Sequence, residues 1–160
     1  MSAATADGGG AVRMHATCIA IGGKGALLRG PPGSGKSDLA LRLIGEPPPE
    51  GQRPAYLVAD DQVALSLEND RLIARAPQAT AGLLEIRGVG IRRLPSVLEA
   101  EAALIVDLVA PHAVLRLPPL PLPTEDVLGV PVPRTKLAPF EASAPLKLRA
   151  LLGAWGTSAV

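Results

Sequence analysis

Apolar residues along the chain fall into short runs divided by glycine, proline and polar clusters, a pattern typical of a mixed α/β domain. Two alternating runs, 63–67 and 72–74, flank a polar turn and predict a β-hairpin. Helical spacing of apolar residues predicts a helix over residues 36–44. Because strand pairs dominate the middle of the chain, we expect an α/β fold whose mixed sheet has an antiparallel part. The predicted strands cover 16–21, 26–28, 56–59, 63–67, 72–74, 83–87 and 103–109, and further helices are expected just after Pro95 and over 146–155.

The length of 160 residues is enough for one domain with its own core. Small polar residues and a glycine run predict a flexible tail over residues 1–12, followed by a single domain over 13–156. The proline-rich segment 111–123 predicts an irregular loop.

Composition and charge exclude several classes of protein. The net charge is +1 and only three residues are aromatic, which disfavours a nucleic-acid partner. The single cysteine, Cys18, excludes a disulfide scaffold and a cysteine-based zinc site. The N-terminus lacks a signal-peptide pattern, and no apolar run is long enough to cross a bilayer. We therefore expect a cytoplasmic protein without a membrane partner.

A glycine-rich segment between a predicted strand and a predicted helix matches the phosphate-loop pattern at every fixed position. Its backbone N–H groups and the following helix N-terminus favour a phosphate, Lys36 reaches the terminal phosphates, and the Ser37 hydroxyl suits Mg²⁺. The motif predicts a nucleoside triphosphate as ligand but does not name the reaction. The residues predicted to bind it are Gly30, Pro31, Pro32, Gly33, Ser34, Gly35, Lys36 and Ser37.

An aspartate at the end of a second strand usually helps a phosphate loop to hold magnesium. Two apolar runs end in aspartate, one at Asp60-Asp61 and one at Asp107, and periodicity alone does not separate them. We prefer the first, because two adjacent carboxylates at a strand end allow one to face the metal and the other an incoming hydroxyl. Asp60 is thus a candidate metal ligand.

Two further features have ordinary interpretations when each is taken alone. Glu85 and Arg87 lie on the same side of a strand, as an exposed ion pair would. A lone histidine such as His15, just before the first predicted strand, is usually a surface or capping residue.

Taken together, these motifs resemble the catalytic domain of HPr kinase/phosphorylase, the bacterial serine kinase of a phosphotransferase carrier protein. The resemblance covers about residues 14–137 and joins His15, the phosphate loop, Asp60-Asp61 and residues 84–91. The last stretch, Leu-Glu-Ile-Arg-Gly-Val-Gly-Ile, is similar to the family signature Leu-Glu-Ile-Arg-Gly-Leu-Gly-Ile. This combination replaces the ordinary interpretations of His15 and of the Glu85/Arg87 pair.

The resemblance implies roles for particular residues. Asp61 matches the base that accepts the serine proton, and Ser37 and Glu85 match the magnesium ligands. It also implies a phosphate-loop fold like the nucleotide domain of phosphoenolpyruvate carboxykinase, an HPr-like carrier as partner, and the family's hexameric assembly. The positions that match catalytic residues of the family are His15, Lys36, Asp61 and Arg116.

The sequence departs from the family in three places. Only a short segment precedes His15, so the chain resembles the catalytic-domain-only form of the alphaproteobacteria. Asp38 stands where the family commonly has Glu. The family's Pro-Val-Arg-Pro-Gly-Arg stretch, tied to dephosphorylation, is replaced by residues 138–143, Ala-Pro-Phe-Glu-Ala-Ser. We therefore expect a serine protein kinase with weak or absent phosphorylase activity.

Two other functions remain as alternatives to the protein kinase. A small-molecule kinase of the phosphate-loop type usually carries an arginine-rich lid, and no such segment follows the loop helix. A non-catalytic ATP sensor need not keep the base, whereas this chain has both His15 and Asp61.

Overall fold

The computed structural model describes residues 5–7 and 10–153, with backbone alone at 5–7. They form an α/β fold built on one large mixed sheet and one small hairpin. The twelve strands are β1 Thr5–Asp7, β2 Ala11–His15, β3 Thr17–Ile21, β4 Lys24–Arg29, β5 Ala55–Ala59, β6 Gln62–Glu68, β7 Arg71–Arg75, β8 Leu83–Ile86, β9 Gly90–Arg93, β10 Glu99–Leu108, β11 Thr124–Val127 and β12 Val130–Leu137. The two α-helices are α1 Lys36–Gly45 and α2 Ala144–Leu151, and short 3₁₀ turns occupy Gln78–Thr80 and Pro111–Ala113.

The large sheet has the order β1-β2-β6-β7-β10-β4-β3-β5, with β12 beside the end of β10 and β11 beside β12. Strand β4 pairs in parallel with β10 and antiparallel with β3. Strand β5 is antiparallel to β3 and therefore runs in the same direction as β4. The carboxyl ends of β4, β5, β10 and β12 consequently lie at one edge of the sheet, where ligands bind in open α/β folds.

Side chains alternate between the two faces of the sheet and build two apolar clusters. On β3, Ile19 belongs to the cluster that α1 covers through Leu39 and Leu43. Cys18, the next residue back, belongs to the opposite cluster, with Leu65 of β6. This burial raises the pKa of the Cys18 thiol to about 12.

Most predicted elements are present, and the hairpin of β6 and β7 is confirmed. The helix expected after Pro95 is wrong, because the backbone there is extended and its Ser96 bridges Leu57 of β5. Strand pairing of Thr5–Asp7 with β2 also differs from the flexible tail expected over residues 1–12. The predicted C-terminal helix begins at Ala144, and positions 154–155 of that prediction lie outside the described residues.

Candidate active site

The segment between β4 and α1 forms a loop whose backbone needs glycine. Gly33 and Gly35 have φ of +81° and +101°, a region that side chains rarely adopt. A Cβ on Gly35 would lie 3.0 Å from Pro139 Cγ and 3.1 Å from Phe140 Cζ. The loop is therefore packed against the segment that follows β12, and only glycine fits at that contact.

Lys36 opens α1 and turns its side chain back across the loop. Its Nζ donates to the carbonyl oxygens of Gly30 at 2.6 Å and Pro31 at 3.3 Å, and the residue is 8% exposed. These acceptors are neutral, so the ammonium charge is not cancelled by a carboxylate in the hydrogen bonds of the described residues. A cation held over an N–H-lined loop at a helix N-terminus is the arrangement that binds a polyphosphate.

Asp60, at the end of β5, is the centre of a hydrogen-bond cluster. Its Oδ1 accepts from Thr17 Oγ1 and Ser37 Oγ, each at 2.9 Å. Its Oδ2 accepts from the backbone N–H of Glu85 at 3.2 Å. One carboxylate thus ties together the buried strand β3, the start of α1 and the hairpin strand β8.

Asp61 follows in a strained three-residue turn and points outward. The N–H of Gln62 donates to the carbonyl of Asp60 at 2.7 Å, which leaves Asp61 with φ of +65°. Such a conformation at a residue other than glycine stores roughly 1–3 kcal/mol of strain and is characteristic of functional sites. The Asp61 side chain is 63% exposed, and its Oδ1 lies 3.3 Å from His15 Nδ1.

A cavity of about 460 Å³ opens above the loop and collects most of the predicted site residues. Lys36, Ser37 and Asp60 line its floor, and Glu85 and Arg87 of the β8–β9 hairpin line its wall. His15 contacts the cavity through Asp61. Arg116 is exposed in the segment after the 3₁₀ turn at Pro111–Ala113 and is not among the residues that line the cavity.

Asp107, the alternative strand-end aspartate, is committed to an ion cluster. Arg29 Nε lies 3.0 Å from Asp107 Oδ1, and Arg134 Nε lies 2.6 Å from Oδ2. Glu125 joins the same two arginines, with Arg29 Nη1 at 2.7 Å and Arg134 Nη1 at 3.1 Å. Burial lowers the pKa of Arg29, but its hydrogen bonds to Glu125 and Asp107 outweigh that effect and raise it above the usual value. These contacts favour Asp60 over Asp107 as the partner of the phosphate loop.

Sequence reasoning missed two residues of this region. Thr17 is fully buried, and its hydroxyl donates to Asp60. The sequence feature that could have indicated this role is a polar residue at the start of an apolar strand. Phe140 is 69% exposed beside the phosphate loop, and no local pattern in the sequence indicated that position.

The oxygen atoms around the cavity suit magnesium. Ser37 and Asp60 are joined by a hydrogen bond, and Glu85 lines the same cavity. Among the residues described, no group of three or more His, Cys, Asp or Glu could hold a metal. Proteins commonly hold Mg²⁺ through one or two carboxylates together with substrate phosphates. The site therefore fits a magnesium ion that arrives with a nucleotide.

The fold and the site together define an α/β protein with a mixed sheet, whose glycine-rich loop and acidic residues share one edge. The sequence model of the HPr serine kinase C-terminal domain matches residues 9–116. Since this is more than half of the chain, the chain belongs to the HPr serine kinase C-terminal domain family.

Individual relatives agree with this assignment. An HPr kinase/phosphorylase of Acidovorax sp. (strain JS42) is 39% identical over 131 residues, covering 74% of this chain and 39% of the relative. One from Clostridium tetani is 40% identical over 84 residues, covering 52% of this chain and 25% of the relative. The chain thus spans about a quarter to two fifths of the length of these relatives.

Among solved structures, the Hpr(Ser) kinase/phosphatase from Coxiella burnetii matches with a TM-score of 0.70 and 32% identity. The match covers 88% of this chain and 87% of that one, so the mixed α/β fold extends over nearly the whole chain. No helix in the described part of the chain is long and apolar enough to span a membrane.

Proposed function

We propose that this chain is an ATP-dependent protein kinase that phosphorylates a serine of an HPr-like phosphocarrier protein. The observation that carries the proposal is the cavity in which Lys36, Ser37, Asp60 and Asp61 meet above a phosphate loop. Membership of the HPr serine kinase family supports the choice of acceptor.

The loop and its helix provide the binding energy for the triphosphate. The backbone N–H groups of residues 33–37 surround the phosphates, and Lys36 places a positive charge beside them. Ser37, Asp60 and Glu85 are the residues that would hold Mg²⁺, which neutralises charge on the β- and γ-phosphate oxygens. In this arrangement the Thr17 hydroxyl keeps the Asp60 carboxylate oriented toward the cavity.

Asp61 is the proposed base. The serine oxygen attacks the γ-phosphorus, the bond to the β–γ bridging oxygen breaks, ADP leaves, and the serine proton passes to Asp61. The imidazole of His15, 3.3 Å from the carboxylate, holds its direction. Asp61 is 63% exposed, so a serine on another protein's surface can reach it.

The test is transfer of labelled γ-phosphate from Mg-ATP to a purified HPr-like carrier. We expect transfer by the unaltered chain and none by Lys36→Ala, because the terminal phosphates lose their cation in a desolvated site. Asp61→Asn should retain ATP binding and lose roughly 10²-fold or more of the transfer rate.

Contrary results separate the alternatives. Transfer to a metabolite but not to the carrier would indicate a small-molecule kinase, and tight ATP binding without transfer to either would indicate a sensor. Full activity of Lys36→Ala would refute the role given to the phosphate loop.

A further inference from the structure

Phe140 is an aromatic side chain held open at the rim of the phosphate loop. It is 69% exposed, although apolar side chains of this size are normally covered. Its ring lies 3.1 Å from the position that a Cβ on Gly35 would occupy. Phe140 also lines the cavity that contains Lys36 and Ser37.

The segment that carries Phe140 is fixed by α1. The Arg42 guanidinium donates to the carbonyl oxygens of Pro139 and Glu141, the two neighbours of Phe140 in the chain. The Nε of the same guanidinium donates to Asp38 Oδ2 at 3.0 Å. The backbone on both sides of Phe140 is therefore held without a ligand, which lowers the entropic cost of using this residue for binding.

A second cavity of about 490 Å³ lies on the other side of Phe140. Pro31 and Ser34 of the phosphate loop line it, so this cavity adjoins the place where phosphates would bind. Apart from Ser34 and Glu141, the side chains that line it are apolar. Glu141 is itself paired with Lys147, at 2.6 Å.

We propose that Phe140 is the stacking platform for the purine base of the nucleotide, with the base entering the second cavity. The inference rests on the proposed function and adds the place where the nucleoside binds. The acidic side of the first cavity, with Asp60, Asp61 and Glu85, serves the metal and the acceptor, which leaves the Phe140 side for the base. Stacking accepts any base because every base has a π face. Since the second cavity offers few polar side chains, ATP and GTP bind with similar affinity.

The experiment compares Mg-ATP, Mg-GTP and magnesium tripolyphosphate by isothermal titration. We expect Phe140→Ala to weaken both nucleotides about tenfold, equivalent to about 1.4 kcal/mol. Tripolyphosphate, which has no base, should bind Phe140→Ala as it binds the unaltered chain. Phe140→Trp should restore nucleotide affinity. Leu98→Ala is the matched control, because Leu98 is 88% exposed and lines neither cavity.

Five results would overturn the inference. Unchanged nucleotide affinity in Phe140→Ala would place the base elsewhere, and an equal loss for tripolyphosphate would make Phe140 a support of the loop. A higher KM for the carrier with an unchanged KM for ATP would assign Phe140 to the acceptor. A preference for ATP over GTP of a hundredfold would exclude recognition by stacking alone. If the unaltered chain does not bind ATP at all, both the inference and the proposed function are refuted. In the other outcomes the unaltered chain still binds ATP, so the two failures can be distinguished.

Discussion

Mutation of the two adjacent aspartates should change stability to different extents, because only the Asp60 carboxylate makes hydrogen bonds that stabilise the fold. The Asp60 carboxylate accepts three hydrogen bonds, from Thr17, Ser37 and the backbone N–H of Glu85. The Asp61 carboxylate accepts no hydrogen bond among those found in the described residues; its Oδ1 lies 3.3 Å from His15 Nδ1, and the side chain is 63% exposed. We therefore expect Asp60→Ala to lower the free energy of unfolding and Asp61→Asn to leave it nearly unchanged.

The magnitude follows from the donors that Asp60→Ala leaves behind. Thr17 is fully buried, so its hydroxyl loses its partner without access to water, at a cost of roughly 1–3 kcal/mol. The Ser37 hydroxyl and the Glu85 N–H lie at the cavity, where water can replace Asp60. Losing these two hydrogen bonds therefore costs less. A total of about 3 kcal/mol corresponds to a fall in Tm of about 6–12 °C for a domain of this size.

Asp60→Asn provides an intermediate step. Its amide oxygen can keep both donors that now bond to Oδ1, and only the contact with the Glu85 N–H is lost. We expect a destabilisation of about 1.5 kcal/mol, near the value of one hydrogen bond to a charged group. Asp61→Asn should stay within about 0.5 kcal/mol, as exposed substitutions generally do.

The assay is thermal and urea unfolding of the three variants without magnesium or nucleotide. Repulsion among Asp60, Asp61 and Glu85 opposes the hydrogen bonds, and it is relieved when Asp60 is removed. If Asp60→Ala proves as stable as the unaltered chain or more so, this repulsion outweighs the hydrogen bonds and the structural role given to Asp60 is refuted.

Three further predictions concern the ion cluster, the reverse reaction and the thiol. Asp107→Ala should destabilise the fold by about 3 kcal/mol in urea unfolding, because it strips a partner from the buried Arg29; an unchanged midpoint would contradict this. Phosphorolysis of the serine-phosphorylated carrier should be much slower than the kinase reaction, since residues 139–143 carry no cation and Arg134 is engaged in the ion cluster; pyrophosphate release at the forward rate would disprove it. Cys18 should not react with a thiol reagent at pH 8 in the native state and should react after unfolding, because its pKa is about 12 when buried; rapid native labelling would contradict its burial.

Local patterns predicted the elements whose partners are close in the chain. The hairpin of β6 and β7 and the helix after the phosphate loop follow from alternation and helical spacing over a few residues. The order of motifs also led to Ser37, Asp60 and Glu85, which the structure brings to one cavity. Their roles in metal binding and transfer stay predictions until the variants are measured.

Features that depend on distant pairing could not be predicted in this way. The chain after Pro95 is extended because the N–H of Leu57 bonds to the Pro95 carbonyl, a contact that local apolar spacing does not encode. Likewise Arg29 and Glu125 are 96 positions apart, and nothing near either residue indicates the other. Phe140 likewise reaches the phosphate loop only through packing of the segment after β12 against Gly35, which no local sequence pattern encodes.

The ion cluster at the carboxyl edge has a consequence for behaviour on warming. Hydration of charged groups becomes less favourable as temperature rises, so the penalty for keeping four charges partly out of water falls. Stabilisation by apolar burial levels off over the same range. Arg29, the residue directly before Gly30, is therefore held relatively more firmly in the heat than the apolar clusters that flank the sheet. The start of the phosphate loop should thus be among the last parts of this sheet to loosen as the protein approaches its melting temperature.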